Sequence, residues 1–470
     1  MDMDLSAPKK NNLIVFVIRG TWHFHYHKST ISSLGARGYR VLALFDRKWS
    51  KRDPVDLIEQ YKKDNAWFDY GWGKPRTDWW RHVLFHSREL LTYRRYLVVK
   101  GQSRYYTTHW RAYLARTVQA VLKFPLMERM LMTHVAGACL RGVENIASPD
   151  CHIVAHLRSL SPACVMASPV TMRFSSCDLE YLKAAVWLHI PTALPVISWD
   201  NLTTKGIIHV WPDTILAWND VQKKELEDHH NFPPARVCIT GGPVFDGWFA
   251  GLKSSRSREE FCHQYGLRAS DAIIMYLGSS DARPARDETW MVEAIRSSLD
   301  RASDPKIQKT QIIVRPHPAN FRCYERLNLP DVIIVPKNGS LPSSSEGLNL
   351  FYDSIMNSVC TIVGVDTSGI IDTMIAGAPG VAILTDEYRA KQSDAAHFRQ
   401  IIDADALEFI KSPEEFPAIL TSFLDGRDTK KEKRMAFITR YIRPQGRKRA
   451  AGDIVAEEIE KLIQKQIHRI

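Results

Sequence analysis

Short apolar runs that end in glycine or a polar turn recur along this chain, and they predict buried strands. The first two lie at 13–20 and 39–46, and each contains an unbroken apolar run, at 13–18 and 41–45, which is typical of a strand covered on both faces. Between them, 29–38 ends in Gly38 and predicts a helix. A strand–helix–strand opening requires a parallel sheet with helices on its faces.

The same alternation continues in two blocks. In the first block, the predicted strands are 163–168, 193–199, 214–218 and 236–240, and the predicted helices are 179–188 and 219–229. In the second block, the strands are 272–279, 310–316, 331–336, 361–366 and 380–385, and the helices are 285–299, 349–358, 368–377 and 393–403. The chain ends in an apolar helical pattern formed by Ile454, Val455, Ile459, Leu462, Ile463 and Ile467. The pattern predicts an α/β fold with two Rossmann-like, doubly wound domains and an amphipathic C-terminal helix.

Three parts follow from these patterns. Residues 1–250 form a first domain, which is interrupted at 71–145 by a basic, aromatic and mostly helical insertion. A polar stretch after residue 251 marks the boundary to a second domain over 251–435, and 436–470 is a closing helix.

Composition excludes several classes of protein. With 470 residues, 45% hydrophobic and 24% charged, the chain is neither disordered, collagen-like nor a coiled coil. No run approaches the ~18 apolar residues of a membrane-spanning helix, and the start of the chain does not resemble a secretory signal. The eight cysteines form no CxxC pair, so we expect a reduced cytoplasmic protein without a zinc or iron–sulfur site.

The net charge of +11 is concentrated in two segments. Residues 71–145 carry +9 and residues 427–450 carry +8, so the rest of the chain is mildly acidic. The first segment would suit an anionic or lipid-linked acceptor, or peripheral contact with the inner face of an anionic cytoplasmic membrane. A solvated helical surface whose aromatic residues pack inward explains it equally well. No nucleic-acid-binding motif accompanies the charge, so we expect no nucleic-acid partner.

The stretch 312–320 is the most informative in chemical terms. A predicted strand delivers Arg315 and His317 to its carboxyl end, where ligands bind in open α/β sheets. Arginine has a planar guanidinium that donates bidentate hydrogen bonds, and histidine donates to a phosphate oxygen or protonates a leaving group. Together they predict a site for a nucleotide diphosphate.

A second stretch, 361–383, joins a predicted strand to a helix start. Asp366, Thr367 and Ser368 lie where the helix leaves backbone N–H groups free to bind a phosphate. Asp366 and Ser368 are also expected to cap this helix. Asp372 lies one turn further on, where a carboxylate could bind ribose hydroxyls. At the start of the second domain, Gly278 and Ser279 follow a strand and would allow close approach of a ligand, although a Gly-Ser turn alone is a weak signal.

In the first domain, His23, His25 and His27 alternate with aromatic residues in a predicted loop after the first strand. As alternate residues on one face they could bind a metal, as in a hydrolase, but the further ligands of such a site are not evident. Alternatively one of them, His25 ahead of His23, could be a general base that activates a substrate hydroxyl; the family resemblance described below implies such a base in this domain. Ordinary loop histidines are the third interpretation.

Asp200, at the end of the 193–199 strand, is the best carboxylate of this half. We expect it to act as an alternative base, or to orient the histidine, unless it merely caps its own turn. The turn at 240–249, with Gly241, Gly242 and Asp246, is interpreted as structural.

Taken together, the motifs of 270–390 resemble the donor half of the GT-B superfamily. The resemblance is strongest to CDP-glycerol glycerophosphotransferases and to capsule and surface-polysaccharide glycosyltransferases. In that superfamily the His-Pro histidine and a Thr/Ser pair at a helix start contact donor phosphate, which here implies His317, Thr367 and Ser368. An acidic residue, usually glutamate, holds the ribose, and Asp372 stands at that position. The resemblance also implies a cleft between two facing domains.

The resemblance implies a transferase that needs no metal and no cofactor. It would move a glycosyl or glycerol-phosphate-like group from a nucleotide-linked donor to a surface-polysaccharide or lipid-linked acceptor. Two alternatives remain open, a non-hydrolysing UDP-sugar epimerase of the same fold and a non-catalytic protein that binds nucleotide sugars.

Overall fold

A computed structural model of the protein describes residues 12–50, 55–99, 101, 103–172, 176–254, 256–280, 287–339 and 344–467. The chain forms two compact units. The first consists of Met1–Asp246 together with Tyr441–Ile470, and the second consists of Gly247–Arg440. Each unit contains one parallel sheet, which confirms the prediction of two Rossmann-like α/β domains.

The first unit contains a seven-stranded parallel sheet in the order β3-β2-β1-β4-β5-β6-β7. Its strands are β1 (Leu13–Ile18), β2 (Arg40–Phe45), β3 (Phe68–Trp72), β4 (Cys164–Ser168), β5 (Thr192–Pro195), β6 (Thr214–Ala217) and β7 (Val237–Ile239). The sequence analysis missed β3. This strand lies at the edge of the sheet and carries Asp69 and Gly71, so it lacks the continuous apolar run of a central strand.

The second unit contains a six-stranded parallel sheet in the order β10-β9-β8-β11-β12-β13. Its strands are β8 (Ile273–Leu277), β9 (Gln311–Arg315), β10 (Val332–Ile334), β11 (Thr361–Val363), β12 (Gly380–Ile383) and β13 (Glu408–Ile410). The last of these was also missed, because it is a three-residue edge strand that begins with the charged residue Glu408.

Helices cover these sheets. Those before the second unit are α1 (Phe24–Ala36), α2 (Asp56–Asp64), α3 (Trp80–Val98), α4 (Arg104–Tyr113), α5 (Arg116–Val121), α6 (Pro125–Met132), α7 (His134–Ile146), α8 (Cys151–Leu160), α9 (Cys177–Trp187), α10 (Asn201–Thr204) and α11 (Asp220–His230). The later ones are α12 (Asp246–Phe249), α13 (Arg258–Tyr265), α14 (Thr289–Asp300), α15 (Pro305–Gln308), α16 (Ser345–Met356), α17 (Gly369–Ala376), α18 (Ala396–Asp403), α19 (Phe416–Leu424), α20 (Lys431–Phe437) and α21 (Ala451–Ile467).

Short 3-10 helices occupy Thr21–His23, Pro234–Arg236, Pro243–Phe245, Phe321–Arg326 and Pro413–Glu415, and a π-turn occupies Ile438–Ile442. Residues 285 and 286, with which one predicted helix begins, lie outside the described residues, as do the first eleven residues and 468–470. None of the described helices is both long and apolar enough to cross a membrane.

The first helix corrects the sequence analysis. It begins at Phe24, not at residue 29, and directly follows the 3-10 turn Thr21–His23. The buried Phe24 ring packs against Phe45 and Phe68 of the sheet, which draws this part of the chain into a helix. The three histidines therefore occupy a helix start and not an extended loop.

The insertion at 71–145 folds into α3 to α7 after the end of β3. Several of its aromatic residues, Tyr93, Tyr96 and Trp110 among them, are buried in the core of the first unit. Part of its charge is internal as well. The guanidinium of Arg88 is buried and lies 2.7 Å from Glu144 and 2.6 Å from Glu180.

The turn at 240–249 is structural, as interpreted. Asp246 accepts hydrogen bonds from the backbone N–H groups of Ala451 (3.0 Å) and Gly452 (2.8 Å), so its carboxylate caps the first turn of α21. Helix α21 packs along α1, where Arg37 lies 2.9 Å from Glu460.

Candidate functional site

The carboxyl ends of three neighbouring strands of the second sheet lie side by side. Leu277 at the end of β8 pairs with Arg315 of β9 on one side and with Val363 of β11 on the other. The turns that follow these strands therefore bring Gly278–Ser279, Arg315–His317 and Asp366–Ser368 to one edge of the sheet. Parallel pairing explains why residues almost 90 positions apart in the chain can share one site.

Arg315 is the fixed positive charge of this edge. Its side chain is buried, and its guanidinium carbon lies 4.2 Å from the centre of the Phe351 ring. Burial lowers the pKa of Arg315 to about 10, while Asp372 and Tyr265 act in the opposite direction. The guanidinium is thus charged at neutral pH and lies over an aromatic ring, and a guanidinium can bind a phosphate through two parallel hydrogen bonds.

His317 adds a neutral donor. Its Nδ1 accepts a hydrogen bond from the backbone N–H of Ala319 at 3.0 Å, and burial lowers the pKa of the imidazole to about 4. At neutral pH the ring therefore carries its single proton on Nε2. An Nε2–H group can donate one hydrogen bond to an anionic oxygen.

Helix α17 begins beside these residues without the expected caps. Asp366 does not cap the helix, because its carboxylate lies 2.7 Å from Nε2 of His397. Ser368 occupies the N-cap position but makes no capping bond through its side chain, and only Thr367 accepts a long hydrogen bond, 3.4 Å, from Gly369 N–H. The capping prediction for Asp366 and Ser368 was wrong, and the exposed hydroxyl of Ser368 remains at the positive end of the helix dipole.

Asp372 lies in the first turn of the same helix and is partly buried. Burial raises the pKa of Asp372 to about 8, although Arg315 and a hydrogen bond from Trp248 favour the ionised form. Trp248 in turn meets the Phe351 ring edge-on, with the ring centres 5.6 Å apart. Sequence analysis missed Trp248 of α12 and Phe351 of α16. No local sequence pattern shows that these two helices lie beside the edge of the sheet.

Gly278 and Ser279 follow β8, as the sequence predicted, but the polar groups of Ser279 bond to another residue of the protein. Its backbone N–H and its hydroxyl both donate to the fully buried carboxylate of Glu288, the hydroxyl at 2.8 Å. Burial raises the pKa of Glu288. A Cβ at Gly278 would lie 2.7 Å from the hydroxyl of Tyr324, so only glycine fits this turn without displacing a buried ring. Gly278 and Ser279 therefore support the other residues at this edge of the sheet.

The first sheet presents a second edge of the same kind. Its central strands β1, β4 and β5 are neighbours, so the turns after them also meet at one end. Polar atoms without hydrogen-bond partners among the described residues lie in these turns, including both ring nitrogens of the buried His23, the Oγ of Ser168 and the Oγ1 of Thr171. Buried polar groups are normally satisfied, so this end of the sheet is suited to a polar ligand.

His25 lies in the first turn of α1, which follows β1. Its Nδ1 lies 2.7 Å from the carbonyl oxygen of Trp22, and because a carbonyl only accepts, Nδ1 carries the proton. Burial lowers the pKa of His25 to about 4, so the ring is neutral at pH 7. Nε2 therefore holds a lone pair. The backbone fixes both the tautomer and the orientation of the ring.

The other two histidines differ from it. His23 and His27 are four residues apart at the start of a helix and both are buried, so the premise that the three side chains alternate on one extended face was wrong. No group of three or more His, Cys, Asp and Glu side chains placed to hold a metal ion is found in the part of the chain that the structure describes.

Asp200 follows β5 at the same edge, but its carboxylate is occupied. It accepts hydrogen bonds from Ser198 (2.6 Å) and Thr204 (2.9 Å), and Nζ of Lys205 lies 3.1 Å away. The group that orients His25 is the Trp22 carbonyl and not Asp200. These contacts fit the turn-stabilising interpretation of Asp200.

The overall structure of this chain is similar to solved structures of other proteins. No family model and no curated protein matches the sequence. Among solved structures, a UDP-N-acetylglucosamine 2-epimerase matches at 12% identity with a TM-score of 0.53, over 96% of each chain. The glycotransferase of kitacinnamycin matches at 11% identity with a TM-score of 0.52, over 97% of this chain and 100% of that chain. The chain has the GT-B fold.

The GT-B match extends over both units, since both solved structures cover nearly the whole chain. A variant of the wall teichoic acid polymerase TagF also matches, at 11% identity and a TM-score of 0.49, over 97% of this chain and 90% of that chain. At identities of 11–12% the likeness is one of GT-B fold. What the chain does must be argued from its own residues.

Proposed function

We propose that this protein is a metal-independent transferase that moves a glycosyl or glycerol-phosphate-like group from a nucleotide-linked donor to a saccharide or lipid-linked acceptor. The observation that carries the proposal is the edge of the second sheet. There a buried arginine, a neutral Nε2–H donor and an uncapped helix start lie at neighbouring strand ends. Each of them favours an anionic oxygen, and together they suit a diphosphate.

In this proposal the second unit binds the donor. Arg315 and His317 hold the diphosphate, and the backbone N–H groups at the start of α17, with Thr367 and Ser368, bind further phosphate oxygens. Asp372 accepts a hydrogen bond from a ribose hydroxyl. Asp366, Gly278 and Ser279 line the site and shape it. Asp366 bonds to His397 and Ser279 bonds to Glu288, while Gly278 leaves room for the Tyr324 ring.

The first unit supplies the base. His25 takes the proton of the acceptor hydroxyl on Nε2, while its Nδ1–H stays bonded to the Trp22 carbonyl. His25 is favoured over Asp200, since Ser198, Thr204 and Lys205 already occupy the Asp200 carboxylate. An anionic substrate bound beside the ring would raise the pKa of His25 from its low resting value and make the imidazole a better base.

The chemistry balances with these groups alone. The acceptor oxygen forms a bond to the transferred carbon or phosphorus, and the bond from that atom to the nucleotide's leaving phosphate breaks. The proton goes to His25. The negative charge that develops on the leaving phosphate is stabilised by Arg315, by the Nε2–H of His317 and by the α17 dipole, which are oriented before the reaction begins.

The proposal is tested first by nucleotide binding. Nucleoside mono- and diphosphates and their sugar or glycerol conjugates are screened for thermal stabilisation of the wild-type protein, with EDTA present throughout. A ligand at 100 times its dissociation constant should stabilise by about 2.7 kcal/mol. Stabilisation by one nucleotide class in EDTA supports the donor site, and no stabilisation by any of them overturns it.

Turnover then separates the alternatives. With the stabilising donor, a transferase releases free nucleotide only when an acceptor is added. An epimerase converts the sugar without an acceptor, and a pure binding protein does neither. Release of nucleotide that depends on both acceptor and His25 is the expected result.

A further inference from the structure

The helical insertion of the first unit carries an unusual concentration of exposed apolar side chains. Of the nineteen large hydrophobic side chains that are exposed in the described part of the chain, seven lie within fifteen residues. We call this group the apolar tip; it consists of Val121, Phe124, Leu126, Met127, Met130, Met132 and Val135. Phe124, Leu126 and Val135 each leave about two thirds or more of their surface in solvent, at 67%, 68% and 72%.

Helix α6 shows that this exposure is built into the fold. Its inward side is defined by Leu131, which is buried in the core, and by Glu128, which accepts a hydrogen bond from Tyr93 at 2.5 Å. At 100° per residue, Leu126 and Met130 then point away from the core, together with Arg129. The helix therefore places a glutamate beside Leu131 on its inward side and leaves apolar residues on its outward side, where an ordinary surface helix carries polar ones.

The helical insertion that carries the apolar tip is positively charged on its exposed side. Five basic residues of α4 to α7 and their turns are exposed, namely Arg104, Arg116, Lys123, Arg129 and Arg141. The two acidic residues between 103 and 146 are Glu128, which lies 3.7 Å from Arg111, and the buried Glu144, which pairs with Arg88. No acidic side chain in that range is exposed.

We propose that the apolar tip docks on an anionic phospholipid bilayer. The apolar side chains would enter the boundary between headgroups and acyl chains, while the five cations contact lipid phosphates. A concentration of exposed apolar side chains marks an interaction site, and the exposed cations of the same helical insertion favour a negatively charged partner. The proposal does not depend on the transferase function, because docking needs no donor, acceptor or turnover.

Two other occupants fit less well. A second copy of the chain related by a two-fold axis would bring the same five cations against each other. A nucleic acid would match the charge, but leucine, methionine and valine offer neither hydrogen bonds nor stacking surfaces, and Phe124 is the single aromatic residue of the tip.

The test is flotation of the full-length protein with vesicles. Vesicles of phosphatidylcholine and phosphatidylglycerol (3:1) are compared with pure phosphatidylcholine in 0.1 M NaCl. The wild-type protein should float with the anionic vesicles and stay at the bottom with the neutral ones. Failure to bind anionic vesicles, or equal binding to both kinds, overturns the proposal.

Matched variants assign the binding to the tip. The triple variant Phe124→Ser, Leu126→Ser, Met130→Ser should lose flotation, whereas Leu57→Ser, Met356→Ser, Leu424→Ser, which removes three exposed apolar side chains elsewhere, should retain it. Ser at position 124 is a good N-cap for α6, so the tip variant should keep its thermal unfolding profile. Flotation of the tip variant at the wild-type level contradicts the assignment.

A second variant tests whether the exposed cations contribute to membrane binding. Removing three cations in Arg116→Gln, Lys123→Gln, Arg129→Gln should weaken partitioning by about fivefold for each charge. Sedimentation analysis without lipid provides the remaining control. A dimer that dissociates in the tip variant would assign the surface to a second copy and overturn the membrane proposal.

Discussion

Arg315 and Asp372, which lie 57 positions apart in the sequence, each stabilise the charged form of the other. Burial lowers the pKa of Arg315 to about 10, and Asp372 acts against that shift. Burial raises the pKa of Asp372 to about 8, and the charge of Arg315 opposes this increase. At neutral pH the pair therefore holds a charged guanidinium beside a carboxyl group that is largely protonated. A partly desolvated cation of this kind favours an incoming phosphate.

The first prediction concerns pH and stability. The Asp372 carboxyl has an ordinary pKa near 4 in the unfolded chain and about 8 in the folded protein. Between these values the folded state binds more protons than the unfolded state, so the contribution of Asp372 to stability is lost as pH rises from about 4 to about 8. Asp372→Asn removes this contribution.

The melting temperature of the Asn variant relative to the wild type should therefore increase between pH 4 and pH 8. Asp403→Asn, at an exposed carboxylate that ends α18, serves as the control and should show no such trend. Parallel melting curves for wild type and Asp372→Asn across this range would contradict a raised pKa at this position.

The second prediction concerns His317. Because Nε2–H is the donor that faces an incoming oxygen in our proposal, His317→Ala should abolish most of the thermal stabilisation by the nucleotide that protects the wild type. His263→Ala, at an exposed histidine of α13, should leave that stabilisation intact. Equal nucleotide protection in both variants would remove His317 from the site.

The third prediction separates His25 from Asp200. His25→Ala should lower kcat by about 100-fold or more, the usual contribution of a general base, while donor binding measured by thermal shift stays at the wild-type level. Asp200→Asn should instead lower the melting temperature, since the partners of Asp200, Ser198, Thr204 and Lys205, hold a turn.

A control for His25 is available at His134→Ala, which alters an exposed histidine of α7. If Asp200→Asn keeps its stability and loses turnover while His25→Ala remains active, the assignment of the base must be reversed.

The fourth prediction concerns the buried ion pairs of the insertion. Arg88→Met removes the cation that the carboxylates of Glu144 and Glu180 share in the core, and leaves them with Lys183 and Arg76 respectively. Removing one member of a buried pair typically costs about 3–5 kcal/mol of unfolding free energy. Chemical denaturation should show a loss of this size, and Arg104→Met, at an exposed arginine, should show little change.

The fifth prediction concerns the turn after β8, at the edge of the second sheet. Gly278→Ala places a methyl group 2.7 Å from the Tyr324 hydroxyl, so we expect a loss of about 1–3 kcal/mol of unfolding free energy. Tyr324→Phe removes the obstructing oxygen. The double variant should then be more stable than the sum of the two single effects predicts, as a double-mutant cycle of denaturation curves would measure. Strict additivity would show that the two positions do not meet.

The sequence by itself determined the fold class and most of the elements. Central strands such as β1 and β8 are covered on both faces, so they must be apolar throughout and are visible as runs. The edge strands β3 and β13 were missed because one face or end is free to be polar. The prediction that Arg315, His317 and the α17 start meet also followed from sequence, since parallel strands end at a common edge.

Only the tertiary structure decided what each polar group contacts. Ser279 and Asp366 resemble ligand-binding residues in sequence, yet their side chains bond to Glu288, nine positions further on, and to His397, 31 positions further on. The histidines became helical because Phe24 packs on the sheet, which no local pattern shows. Hydrogen bonds and pKa shifts depend on neighbours brought together by folding, and periodicity reports only which face of an element is buried.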